Sequence, residues 1–371
     1  MFVGIPTEVK EDENRVAITP AGVAAFVADD HDVVIQARAG AGSAIPDEAY
    51  RKAGATIVEE AAEVWERAAL VLKVKEPVEE EIARMRRGQV LFTYLHLAAS
   101  KPLTTGLLER GVVGIGYETV QLEDGTLPLL VPMSEVAGRL SIQAGAKSLE
   151  MISGGKGILL PGVSGVRRGR VTIIGAGIVG LNACVVGVGF GADVRIIDIN
   201  PLRLAYVRDV VQGHVTTLMS NTANIEESVA TADLVICGVL TAGAKTPRLI
   251  TRKHLRQMEP GSALVDVAVD QGGCAETSRP TTHHKPRYVE EGVVHYCVSN
   301  MPGAVPHTST HALTNATLAY ALELANRGWR KAAVENPALA KGINVVEGQI
   351  VHRAVAEAHG MEHVELDYFE G

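Results

Sequence analysis

One stretch near the middle of the chain, "VTIIGAGIVGLNACVVGVGFGADVRIIDIN" at residues 171–200, admits few folds. Val171-Thr172-Ile173-Ile174 is a short β-branched run of the kind that suits a parallel strand covered on both faces. Gly175-Ala176-Gly177-Ile178-Val179-Gly180 then reads G-x-G-x-x-G. In such a turn the first glycine permits the tight bend, the second lets backbone approach a pyrophosphate, and the third lets helix and strand pack closely. The next helix would turn its free N–H groups and positive dipole end toward the phosphates. A second strand follows, and Asp198 at its end stands 18 residues beyond Gly180. That is close to the ~20-residue offset at which an acid binds an adenosine ribose hydroxyl. A carboxylate there repels a 2′-phosphate, so NAD is expected over NADP. Arg203, one helical turn further on, would soften that preference, or is simply a solvated helix residue. A glycine turn alone is weak evidence, since its use can be purely structural. Here strand, turn, helix and acid agree.

The 371-residue length suggests two or three domains with ample chain for their cores. A formal charge of −8 without a basic stripe argues against a nucleic-acid partner. No apolar run approaches the ~20 residues that span a bilayer, and no charged, apolar leader opens the chain, so no membrane is expected. The four cysteines show no C-x-x-C spacing. They read as reduced packing thiols of a cytoplasmic protein, and no zinc or other metal site is expected.

Strand and helix patterns alternate through the front third. Apolar runs at residues 2–5, 33–37, 70–74, 90–95 and 112–117 are separated by helical patterns at 20–28, 61–67, 78–87 and 103–110. This is the signature of a parallel, doubly wound sheet. A connection at 118–130 precedes a linking helix over 132–152. Further strands are expected at 215–217, 234–238, 263–267 and 293–298. Ser309 or Thr310 is expected to cap a long helix ending near Arg327, and a short helix to cover 349–358. The tail after Ala312 carries no strand pattern, so it must pack on something already built, and the front domain is the expected support. Two lobes place a ligand cleft between them.

In open α/β sheets, ligands bind beyond the carboxyl ends of the strands. Run 70–74 ends in Lys75-Glu76-Pro77, run 90–95 in His96, the run from 263 in Asp270-Gln271-Gly272-Gly273, and 293–298 in Ser299-Asn300-Met301-Pro302. Arg15 lies in the polar loop after the first strand. Each has a plainer reading. Lys73 shares a strand face with Lys75, and the pattern does not choose between them. His96 between two leucines is a satisfied core histidine, Asp270 caps the Gly272-Gly273 turn, and Arg15 pairs with Glu8 or Glu11.

The segments "GIPTEVKEDENRVAITP" (4–20), "LKVKEP" (72–77), "LFTYLHLAAS" (91–100), "YETVQLEDGTLPLLVPMSEVAGRL" (117–140), "LVDVAVDQGGCAETSRPTTH" (264–283) and "YCVSNMPGAVPHTSTHALTNATLAY" (296–320) together resemble bacterial alanine dehydrogenase. The likeness covers nearly the whole chain. It implies reversible oxidative deamination of L-alanine to pyruvate and ammonium with formation of NADH. In it Arg15 matches the guanidinium clamp on the substrate carboxylate and Lys75 the lysine on the carboxylate or carbonyl oxygen. His96 matches the acid/base group, as an imidazole titrates near neutrality. Asp270 matches the carboxylate that orients water or departing ammonia. For NAD the resemblance adds Ser134, Ile178, Val179, Ser220, Val239, Leu240, Val267, Asp270, Asn300 and Met301 to Gly175, Gly177, Gly180 and Asp198. Arg203 stands where the family often has a lysine beside the ribose.

The expected fold is therefore two Rossmann-like, doubly wound parallel-sheet domains joined by long helices. Residues 1–130 with 308–371 form the substrate domain and 131–307 the NAD domain. The family further implies a homohexamer. The NAD-binding α-subunit of proton-translocating transhydrogenase shares part of this signature and stays open as an alternative, as does a dehydrogenase of another amino acid.

Overall fold

The computed structural model describes residues 1–239 and 246–366. The chain enters through six strands: β1 (Phe2–Ile5), β2 (Asp32–Gln36), β3 (Thr56–Val58), β4 (Leu70–Leu72), β5 (Val90–Thr93) and β6 (Val113–Gly116). Seven follow: β7 (Arg170–Ile174), β8 (Asp193–Asp198), β9 (Val215–Met219), β10 (Leu234–Cys237), β11 (Ala263–Asp266), β12 (Arg287–Glu290) and β13 (Val293–Tyr296). Two more, β14 (Ile343–Val346) and β15 (Gln349–Ile350), come late. The chain divides into two compact units, Met1–Met133 with Val305–Gly371, and Ser134–Ala304.

The first unit is built on an eight-stranded sheet of order β15-β14-β6-β5-β4-β1-β2-β3. Strands β1 to β6 pair in parallel, and β14 and β15 are antiparallel additions at one edge. Every residue of β4, β5 and β6 is buried, as expected of strands covered on both faces. The chain winds outward from β1 to β3, then returns to place β4 on the other side of β1. The switch point thus lies between β1 and β4, and ligand crevices form at such points.

The second unit has a seven-stranded sheet of order β12-β13-β11-β10-β7-β8-β9, parallel except for β12. Here the reversal falls between β7 and β10. Its core gathers Val171, Ile173, Ala183, Ile196, Leu234 and Val265 with Ile142 of the helix Val131–Ser148. Both units are α/β, as the alternating pattern implies.

Several local expectations need correction. The tail does carry strands. Ile343–Val346 pairs with β6, and the turn at Glu347 and Gly348, both at positive φ, folds Gln349–Ile350 back on it. Two short runs split by a turn leave no alternation long enough to read. The final helix is consequently shorter than expected, Arg353–His359. The long helix starts at Pro306, whose ring suits the first turn, and runs to Arg327, so Ser309 and Thr310 lie buried inside it. The linking helix stops at Ser148; a 3-10 turn at Met151–Ser153 and Gly154 at φ +88° end the region.

Candidate active site

In the second unit the glycine turn follows β7, and its three glycines have different physical grounds. Gly175 adopts φ +98°. A Cβ on Gly180 would lie 1.8 Å from the Gly175 carbonyl oxygen, so the helix Ile178–Gly189 can close on β7 only without one. A Cβ on Gly177 would meet no heavy atom of the described residues within 4 Å. Among those residues its missing side chain relieves no contact, and it leaves room for a ligand. Gly177 is also the N-cap of that helix and offers no side-chain cap, so the first helical N–H groups keep their capacity for an anion.

Asp198 ends β8 and holds this turn. One carboxylate oxygen accepts from Ala176 N–H at 2.6 Å, and the other from Asn200 N–H at 2.8 Å. Arg203 Nε donates to the Ala176 carbonyl at 3.0 Å. Arg203 is half-buried and grips the turn, rather than being a solvated helix residue. The helix Val131–Ser148 packs on the same turn: a Cβ on Gly138 would stand 2.3 Å from the Val179 carbonyl oxygen. Ser134 lies one turn earlier on that helix and faces the same way.

Ser220 follows β9 and donates its backbone N–H to the Asp198 carbonyl at 2.9 Å. Val239 lies beyond β10, Val267 beyond β11, and Asn300 with buried Met301 beyond β13. The parallel sheet therefore collects all of these at the edge that carries the glycine turn. Leu240 lies outside the described residues. Asp270 is exposed on the 3-10 turn Val269–Gln271, followed by Gly272 and Gly273 at positive φ. That loop hangs on Asp266, a buried carboxylate accepting from the N–H groups of Ala268, Cys274 and Ala275 and from Ser278 Oγ. Burial raises the Asp266 pKa against the pull of those four donors.

In the first unit Arg15, Lys75 and His96 follow β1, β4 and β5, three neighbouring strands, at the same sheet edge. Arg15 is buried at 2 % exposure and pairs with Glu13, an acid the sequence reading did not name: Nε and Nη2 each donate to that carboxylate at 2.6 Å. Burial works against the guanidinium charge, but Glu13 outweighs it and raises the Arg15 pKa. The helix Pro306–Arg327 steadies this loop, with Val16 N–H donating to Thr310 Oγ1 at 3.1 Å.

The lysines separate cleanly. Lys73 is wholly buried, with its ammonium 3.1 Å from Glu8 and 2.7 Å from Glu81. Lys75 is half-buried at the strand end. Glu8 also accepts from Val74 N–H at 2.6 Å and Lys75 N–H at 3.3 Å, fixing the backbone there. His96 is exposed rather than a core histidine, sits at φ 49°, and stacks on Tyr94 with ring centroids 5.9 Å apart and planes 8° off parallel. Burial pushes the Tyr94 phenol well up, so it stays a donor, to the Leu129 carbonyl at 2.7 Å. The acids Glu13, Glu118 and Asp266, which hold the candidate residues in place, escaped the sequence reading, and Glu8 was read only as a partner of Arg15 rather than as the anchor of the Lys73–Lys75 segment. Only Asp266, closing an otherwise apolar run, gave a usable signal.

A dinucleotide-type glycine turn on one sheet and a cationic, imidazole-bearing strand edge on another define a two-unit α/β protein of oxidoreductase type. Residues 4–137 match the model of the alanine dehydrogenase/PNT N-terminal domain and 141–353 that of the C-terminal domain. The chain belongs to the alanine dehydrogenase/PNT family. It is 56 % identical to an alanine dehydrogenase of Geobacillus stearothermophilus over 99 % of this chain and 98 % of that one. A solved L-alanine dehydrogenase superposes with TM-score 0.95 at 49 % identity, over 97 % of this chain and 99 % of the other. A transhydrogenase from Sinorhizobium meliloti superposes with TM-score 0.82 at 25 % identity, over 95 % and 100 %. The resemblance read from the motifs is thereby upheld. Among the described residues no helix is long and apolar enough to cross a membrane.

Proposed function

We propose that the chain is an NAD-dependent L-alanine dehydrogenase that converts L-alanine, NAD⁺ and water reversibly into pyruvate, ammonium, NADH and a proton. The observation that carries this is that Arg15, Lys75 and His96 each follow one of three adjacent strands, β1, β4 and β5. The near-full-length likeness to alanine dehydrogenases supports it.

The residues of the second unit fit the cofactor. Gly177 leaves open space beside an uncapped helix start, and Asp198 brings a carboxylate to the end of β8, where it favours a ribose hydroxyl over a phosphate. NAD bound there supplies the hydride acceptor. The chain's own residues do the remaining work. Glu13 fixes the Arg15 guanidinium plane and balances its charge, so Arg15 acts as an oriented donor to the substrate carboxylate rather than as a bare cation. Lys75 holds the carboxylate or the 2-oxo oxygen and stabilises charge that develops on it. His96 takes a proton from the water that attacks the imino carbon and passes one to the departing ammonia. Asp270 orients that water. The enzyme is read as a homohexamer, as the family resemblance implies, and as cytoplasmic, as its four cysteines without C-x-x-C spacing suggest.

The test is NADH formation by the purified chain with each common amino acid in turn. L-Alanine is expected to be the preferred substrate, with NADP⁺ a poor replacement for NAD⁺. Tight NADH binding without amino-acid-dependent turnover would instead favour a transhydrogenase-like subunit, to which the 25 % identical neighbour points.

A further inference from the structure

We infer that Glu118 is a positioning residue that holds His96 in its working conformation; this rests on the acid/base role proposed for His96. His96 stands three residues beyond β5 with φ 49° and ψ 36°, the left-handed region. A residue with a Cβ reaches that region only against steric cost, so something must over-determine it. Glu118 does so. Its carboxylate accepts from His96 N–H at 2.6 Å and from Leu95 N–H at 3.1 and 3.2 Å, drawing two consecutive amides to one group. Two successive N–H groups point to one side only where the chain curls, and a negative charge at their focus favours that curl. Leu95 is fully buried, so without Glu118 its N–H would lose its acceptor away from water.

Glu118 is itself anchored. It lies in the 3-10 turn Tyr117–Thr119 beyond β6, the strand next to β5. Thr119 Oγ1 donates to the carbonyls of Gly116 and Gly342, and Asn344 Nδ2 donates to Thr119 Oγ1 at 2.6 Å. The imidazole is meanwhile stacked on Tyr94, whose hydroxyl is fixed to Leu129. The backbone and the ring of His96 thus have separate supports, and Glu118 is the backbone one.

A double-mutant cycle tests this in the full chain, comparing wild type, H96A, E118A and the double variant. Turnover with saturating L-alanine and NAD⁺, KM for L-alanine and NADH affinity by nicotinamide fluorescence are read for each. E118A is expected to lower kcat about 100-fold, the effect of displacing a reacting group by roughly 1 Å. KM and NADH affinity should change less than about threefold, and E118A should cause no further loss in the H96A background. E118Q keeps one carbonyl oxygen and should recover much of the rate. If E118A does not fold, E118Q serves in the cycle, with a smaller loss that likewise vanishes beside H96A. A loss of equal factor in the H96A background, or parallel loss of NADH affinity, overturns the inference while leaving His96 its role. An H96A variant that turns over at the wild-type rate removes that role and the inference with it.

Discussion

Two lysines two residues apart, just beyond the end of β4, should fail in opposite ways when replaced. Lys73→Met removes an ammonium that lies 3.1 Å from Glu8 and 2.7 Å from Glu81, with the lysine side chain at 0 % exposure and the acids at 3 % each. Breaking a buried ion pair by removing one partner costs about 3–5 kcal/mol, because the surviving charge has neither water nor counter-ion. Here two carboxylates survive. That loss is a large share of the roughly 5–15 kcal/mol that holds a domain together. Burial raises the Glu8 pKa even in the intact protein, and Lys73 opposes it. Without Lys73 the Glu8 carboxyl group would take up a proton more readily, so the deficit should be smallest at acid pH and grow as pH rises through the carboxylate range. Lys75→Ala, at a half-buried strand end, should shift stability by less than about 0.5 kcal/mol yet lower turnover and weaken pyruvate binding. Urea unfolding followed by tryptophan fluorescence suits this test, since both tryptophans, Trp65 and Trp329, belong to the first unit. A Lys73→Met loss below about 1 kcal/mol would refute the reasoning about the buried triad. A loss of similar size in Lys75→Ala would show the two residues to be equivalent.

The glycine turn should respond position by position. Gly177→Ala is expected to leave the melting temperature unchanged while lowering NADH affinity at least tenfold, whereas Gly180→Ala should also destabilise the fold, by about 1–3 kcal/mol or more; equal melting curves for the two would contradict the packing described. Asp198→Gly should relax the preference for NAD⁺ over NADP⁺, measured as a ratio of kcat/KM values, and unchanged discrimination would strip Asp198 of its ribose role. In the second unit Asp233 is 1 % exposed; burial raises its pKa, but Arg167, Lys156 and the Arg170 N–H overcome that and hold it at about 2. A depressed folded pKa gives stability that is present above the unfolded value and lost on acidification, here about 2 kcal/mol between roughly pH 4 and pH 2. Asp233→Asn should lack that part of the acid limb in a stability-against-pH series.

The sequence revealed strands wherever burial on both faces produced a continuous apolar run, as at β1, β4, β5, β7 and β11. It hid those made by pairing rather than by pattern. β3 is three residues long, β12 is a polar edge, and β14 and β15 are two short runs whose strand character comes from the waiting edge of β6. The candidate residues were legible through topology, because a strand's end can be counted from the sequence. The carboxylates that fix them were not. Glu8, Glu13 and Glu118 lie 67, 2 and 22 residues from the positions they hold, and nothing in a charged loop separates an acid that binds buried backbone from one that faces water. Lys73 and Lys75 illustrate the same limit: identical side chains two residues apart, of which only folding buries Lys73 against Glu8 and Glu81 and leaves Lys75 half-buried.

The two edge strands contributed by the tail have a consequence for biosynthesis. Ser134–Ala304 is one unbroken segment, while the sheet begun by Phe2–Ile5 is finished only by Ile343–Val346 and Gln349–Ile350. A ribosome adding about 5–20 residues per second needs on the order of 10–50 s to travel from Gly116 to Ile343. For that interval the nascent polypeptide carries an open hydrogen-bonding edge on β6, the sort of edge that invites pairing with a neighbouring chain. The part made second can thus mature first, and the part made first must wait under the care of whatever shields unfinished sheets in the cell.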